Sequence, residues 1–271
     1  MVDLTVIGKE IMGFCEEGGG TWGVVVEHAE SGERFVWQPD RLFQAASVIK
    51  LPVLSAVFHE QAKGTLHLHE MVELRLEDQV NGSGVLKLFT PGIALPILDL
   101  ATLMITVSDN TATNLLIDRM GIETINAHMR DDGLRSSVLR NPLQRAAGGF
   151  NGRNEITAED IALWLRKVVD GTLVSHIASR RMIDILKAQQ YQNKIPGILP
   201  DPENGPAGML PLWQFANKTG MVKDIEHDAG ILYLRGATFI VVTLAHQSPG
   251  AIPAMQKIGR SIYDGWYGLH Q

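Results

Sequence analysis

A single cysteine, Cys15, is all the thiol chemistry that 271 residues hold. A lone thiol excludes an internal disulfide. With no motif around it, Cys15 reads as a small apolar residue on an N-terminal helix. Positive charge is also short: 24 Lys and Arg face 30 Asp and Glu, a net charge of -6. That leaves no electrostatic case for a nucleic-acid partner. Long apolar runs are missing. The most apolar window, "GIALPILDLATLMITV", is interrupted by Pro96 and Asp99 and is too short to span a bilayer. The opening "MVDLTVIGKEIMGFCEE" has no basic n-region, no long apolar h-region and no small-residue cleavage site. A cytoplasmic protein without membrane attachment is the simplest expectation, and a secreted chain trimmed of its leader would read the same way. Repeats and low-complexity tracts are absent as well, and no metal or cofactor is expected.

What is present is ordinary for a globular chain: 45% hydrophobic and 20% charged residues. Leu4, Ile7, Ile11 and Cys15 have helical spacing, which predicts a helix over 2–16 closed by Gly18-Gly19-Gly20. "TWGVVVEHA" and "ERFVWQ" predict a hairpin around Ser31-Gly32. Helices are predicted over 47–62, 98–107, 111–120, 122–131, 157–170 and 175–189. "HDAGILYLRG" and "ATFIVVTLAHQ" predict a second hairpin around Gly236, with a closing helix over 251–267. The Pro-rich "KIPGILPDPENGPAGMLP" reads as a long surface loop. The fold class is α/β of the α+β type. Strands at both chain ends build one antiparallel sheet, with an all-helical domain inserted between them. The expected division is 1–44 with 190–271 for the sheet domain and 45–189 for the helical one, the active site lying at their interface.

Three short motifs carry the chemistry. In "FQAASVIKLPV", Ser47 and Lys50 lie one helical turn apart. A serine hydroxyl is a weak nucleophile until a base takes its proton, and a buried lysine of depressed pKa can be that base. The bland alternative is a helix-capping serine beside a surface lysine, since S-x-x-K is expected about once by chance in such a chain. In "SDNTATNLLID", Ser108 and Asn110 can face a cleft, or Ser108-Asp109-Asn110 can simply cap the next helix. In "NKTGMV", Lys218 offers a positive charge, Thr219 a donor and Gly220 a close backbone approach, ahead of a predicted edge strand. The alternative is a solvated lysine and a turn glycine. Each of the last two tripeptides is expected well under ~0.1 times per chain, so the three motifs together favour a shared site.

With this ordered set the chain resembles the class A β-lactamases among the penicillin-recognising serine hydrolases, over nearly its whole length. The resemblance implies that Ser47 is acylated and that Lys50 assists its deprotonation. Ser108 would shuttle a proton, Asn110 would bind the acyl-amide side, and Lys218 and Thr219 would hold a substrate carboxylate, with Gly220 letting the substrate approach the backbone. The backbone N–H groups of Ser47 and Met221 would form the oxyanion hole, and His227 falls near the place of the family's carboxylate-binding helper.

The pattern breaks in one place. Class A enzymes carry a water-activating glutamate in a loop after the second motif. Here that loop, Gly133 to Asn154, has no Asp or Glu and holds Arg135, Arg140, Arg145 and Arg153 instead. Rough spacing puts Asn141 or Pro142 in the glutamate's place. Glu155, Glu77 and Asp78 lie elsewhere. Acylation machinery is complete, while the base for deacylation is missing, unless Lys50 also takes that task. The arginines read as loop anchors or solvated charges. Two readings follow. One is a serine hydrolase acting on a β-lactam, peptide or ester, with a carboxylate on the substrate. The other is a penicillin- or peptide-binding protein whose acyl adduct persists.

Overall fold

The computed structural model describes residues 4–145, 152–203 and 210–268. Helix α1 (Leu4–Gly18) leads into strands β1 (Thr21–His28) and β2 (Arg34–Trp37), and then a short strand β3 (Phe43–Gln44). A 3-10 turn over Ala46–Ile49 runs directly into α2 (Lys50–Lys63). Strands β4 (Met71–Glu73) and β5 (Ala94–Pro96) pair with each other and precede α3 (Ile97–Thr106), α4 (Asn110–Met120) and α5 (Ile122–Asp131). Strand β6 (Glu155–Ile156) pairs with β3, and α6 (Ala158–Val169) and α7 (His176–Lys187) follow. The chain ends with β7 (Trp213–Val222), β8 (Ile225–Leu234), β9 (Ala237–His246) and α8 (Ala251–Tyr267).

The sheet order is β2-β1-β9-β8-β7, every pair antiparallel, so the first two and last three long strands of the chain share one sheet. Antiparallel neighbours need only short hairpins. Arg235-Gly236 joins β8 to β9 with Gly236 at φ 85°, a left-handed turn that glycine adopts without strain. The period-2 alternation sorts each strand between two cores. Val24, Val26, Leu232 and Val241 pack with α1 and α8, while Val25, Ile231, Ile240 and Val242 pack with the helices between the strands. Each such buried aliphatic contributes roughly 1.5–3 kcal/mol, and the central strands are buried on both faces.

Two sequence expectations shift. The third motif does not precede an edge strand; it lies inside β7, which is itself the edge. The short strands β3 to β6 carry too few residues for a period to show. Cys15 is buried in α1, and burial pushes its thiol up to about 12, as befits a packing residue. Among the described residues no helix is long and apolar enough to cross a membrane. Residues 146–151 of the arginine-rich loop and 204–209 of the Pro-rich stretch lie outside the described residues.

Candidate active site

Ser47 sits in the 3-10 turn ahead of α2 and does not cap that helix: neither Ala45 nor Ile49, the residues at the cap positions, makes a side-chain cap bond. Ala46 just before it has φ 43°, a left-handed conformation that costs a non-glycine residue about 1–3 kcal/mol. The turn is pinned by the Ala45 N–H, which donates to Asn154 O at 2.8 Å. Ser47 lines a cleft of about 970 Å³ together with Gly82, Asn110, Leu143, Asn154 and Met221, among others. Among the described residues no side chain is hydrogen-bonded to its hydroxyl, which stands free at the cleft wall.

Lys50, one turn on, is wholly buried. Its Nζ lies 2.7 Å from Ser108 O, 3.1 Å from Ser108 Oγ and 2.9 Å from Asn110 Oδ1. Burial, reinforced by the charge of Lys218 and opposed by Asp109, pushes Lys50 well below the usual lysine range. A neutral amine suits these contacts: two N–H groups donate to the carbonyl oxygens, and the Ser108 hydroxyl can donate to the lone pair.

The second motif is held from two sides. Asp109 is the N-cap of α4, accepting from Ala112 N at 2.9 Å, and it also accepts from Val85 N at 2.6 Å and Leu86 N at 2.8 Å. The capping reading is therefore correct for Asp109, and it frees its neighbours. Ser108 takes φ 55°, a second left-handed residue at the site, and is nearly buried. The sequence "NGSG" at 81–84 packs over this turn. Asn110 N donates to Ser83 O at 3.1 Å and Asn110 Nδ2 to Asn81 O at 3.2 Å. A Cβ on Gly82 would meet Asn110 Nδ2 at 2.5 Å and one on Gly84 would meet Asp109 at 2.3 Å, and both glycines have positive φ. Two glycines two apart were the sequence signal for that close approach.

The third motif approaches from β7. Alternation turns Lys218 and Gly220 toward the Ser47 turn, and a Cβ on Gly220 would touch Val48 and Ala46. Lys218 is fully buried; burial and the neighbouring Lys194 push it down to about 7, with Asp228 opposing. Thr219 lies opposite Asp228 of β8 and is buried. His227 is fully buried, with Nε2 2.9 Å from Gln44 O and Nδ1 2.8 Å from Glu226 O and 3.2 Å from Ala245 N. Burial lowers it to about 4, so its ring is neutral and fully engaged with backbone.

The loop after the second motif is built around its polar residues. Arg140 Nη1 lies 2.6 Å from Glu155, and Arg145 pairs with Asp118, so two of the four arginines are anchors. Glu77 and Asp78 are both paired with Arg75. Asn141, Pro142 and Leu143 all line the cleft, and Leu143 has a tie of its own to α4. Asn114, one turn beyond Asn110 on α4, donates to Leu143 O at 2.8 Å and accepts from Leu143 N at 2.7 Å. This paired anchor holds Leu143 at the cleft wall. Spacing along the chain does not show this tie, because it is made by a side chain 29 residues away. Among the described residues that line the cleft there is no aspartate or glutamate.

The profile described as the Beta-lactamase enzyme family matches residues 7–266. Beta-lactamase L2 of Stenotrophomonas maltophilia is 27% identical over 247 residues, 88% of this chain and 77% of that protein. The crystal structure of a beta-lactamase from Sphaerobacter thermophilus superimposes with a TM-score of 0.88 and 28% identity, covering 100% of both chains. A variant of PBP-A, solved as an acyl-enzyme complex with penicillin G, gives a TM-score of 0.84 at 26% identity, covering 98% of this chain and 97% of that one.

Proposed function

The chain belongs to the beta-lactamase enzyme family, and on that footing we propose that it is a serine hydrolase that acylates readily at Ser47 and releases its acyl group slowly. The observation that carries the reading is the cleft itself: a free Ser47 hydroxyl, a wholly buried Lys50 amine one helical turn on and no lining carboxylate among the described residues. Ser47 Oγ attacks the carbonyl carbon of a β-lactam or ester, and its proton passes to Lys50. Ser108, 3.1 Å from Lys50 Nζ, hands a proton on to the leaving nitrogen or oxygen. The N–H groups of Ser47 and Met221 stabilise the oxyanion, and Asn110 binds the acyl amide. Thr219, beside Lys218, adds a hydroxyl donor for the substrate carboxylate, and no substrate contact is assigned to His227, whose ring is engaged with backbone inside the protein.

The same cleft supports a second reading, a penicillin- or peptide-binding protein whose adduct persists. One measurement separates the two. After brief exposure to penicillin G, intact-mass spectra should show one adduct lasting minutes or longer, beside slow release of hydrolysed product in a chromogenic cephalosporin assay. An adduct that never clears would make the protein a trap. Clearance within seconds at saturating drug would remove slow deacylation.

Lys218 supplies the field for a substrate carboxylate. Its amine is depressed to about 7, so its charge is present below that pH and lost as pH rises through it. KM for a carboxylate-bearing substrate should therefore rise between pH 6 and pH 8.5, while a neutral aryl ester's stays level. Lys218→Ala should abolish the difference. A flat KM for both substrates in the unsubstituted protein would take the role from Lys218.

A further inference from the structure

Lys194 lies in the segment after α7 and is nearly buried. Its Nζ donates to Gly220 O and to His227 O, both at 2.9 Å, and its charge pairs with Glu226 Oε2 at 2.7 Å. Gly220 and His227 face each other across β7 and β8. One ammonium reaching both carbonyls means that both point into the gap between the strands. Asp228 agrees, because its own carbonyl points the other way, accepting from Thr243 Oγ1 on β9 at 3.0 Å. Backbone groups alternate sides along a strand, so the N–H of Met221 points to the free edge of β7, where Ser47 and Ala46 line the cleft.

Gly220 C=O and Met221 N–H belong to one peptide group, and the chain has no cis peptide bonds among the described residues. In a trans peptide the two point in opposite directions. Holding the carbonyl therefore aims the N–H. A cation on the carbonyl also polarises the peptide and strengthens its N–H as a donor. The clamp itself is fixed: Ile195 N donates to Asp228 Oδ2 at 3.1 Å, and Asn217 Nδ2 donates to Asp228 Oδ1 at 2.7 Å. A Cβ on Gly259 of α8 would meet Ile195 O at 2.0 Å, so the helix presses the segment onto the sheet.

We propose that Lys194 is a positioning residue for acyl transfer, holding the Gly220–Met221 peptide from the side away from the cleft so that the Met221 N–H is aimed and polarised toward the oxyanion formed at Ser47. This rests on the acyl-enzyme reading above. The test compares Lys194→Met and Lys194→Arg with the unsubstituted protein, using the rate of penicillin G acylation by intact mass and the amide proton shift of Met221 in the free protein. At pH 6, below the Lys218 titration, Lys194→Met should lower the limiting acylation rate about ten- to hundredfold, with little change in the drug concentration giving half that rate. It should also move the Met221 amide proton upfield. Lys194→Arg should recover most of both. If Lys194→Met does not fold, Lys194→Gln serves, with about a tenfold loss expected from two donors without the charge. A Met221 amide unmoved by the substitution, or acylation at the unsubstituted rate, overturns the clamp. Failure of the acyl-enzyme reading looks different: the unsubstituted protein itself gains no mass.

Discussion

Ser47→Ala is expected to abolish covalent labelling by a fluorescent penicillin and to lower the acylation rate on the order of a millionfold, the scale seen when an activated serine nucleophile is removed. The substitution deletes one oxygen that makes no cap bond and faces the cleft, so the turn over Ala46–Ile49 and the pinning of Ala45 by Asn154 survive. Stability should stay within about 0.5 kcal/mol, which makes the comparison clean. Binding should survive too, because Asn110, Lys218 and the backbone donors remain. The measurement is gel fluorescence and intact mass after equal exposure of both proteins. Equal labelling would transfer the nucleophile to another residue and with it the whole assignment.

Leu143→Glu is expected to shorten the lifetime of the acyl adduct by about 10²- to 10⁴-fold, the range a positioned general base contributes. The reason is local. Asn114 holds the backbone of position 143 through both its N–H and its C=O, so a new side chain there starts from a fixed point at the wall of the Ser47 cleft. Leu143 packs only partly against the core, and the loss of that contact should cost about 1–2 kcal/mol. Acylation should change by no more than a few-fold, since Lys50 and Ser108 are untouched. The gain should fade at acid pH as the new carboxylate protonates. Single-turnover mass spectrometry follows the adduct directly, and an adduct lifetime equal to that of the unsubstituted protein would show that position 143 does not address the hydrolytic water.

Long elements were legible in the chain because their periods are long enough to read. Leu4, Ile7 and Ile11 mark α1 by helical period, and the continuous apolar run "ILYL" marks β8, a strand buried on both faces. The three motifs were legible because rare tripeptides in one order are improbable by chance. The missing carboxylate in the loop from Gly133 to Asn154 was legible as simple absence.

Other features were decided only in three dimensions. Whether Ser47 caps a helix or faces a cleft depends on the left-handed turn at Ala46, which no local pattern announces. The depressed Lys50 depends on burial beneath residues near 108, and the fate of His227 on a carbonyl at Gln44. The place of Leu143 depends on Asn114, and the aim of the Met221 N–H on Lys194 across the strand pair. Local sequence fixes which residues can do chemistry, because residue type and period are local properties. Protonation, orientation and reach depend on the dielectric and the partners that packing brings from distant segments, and only the folded chain supplies those.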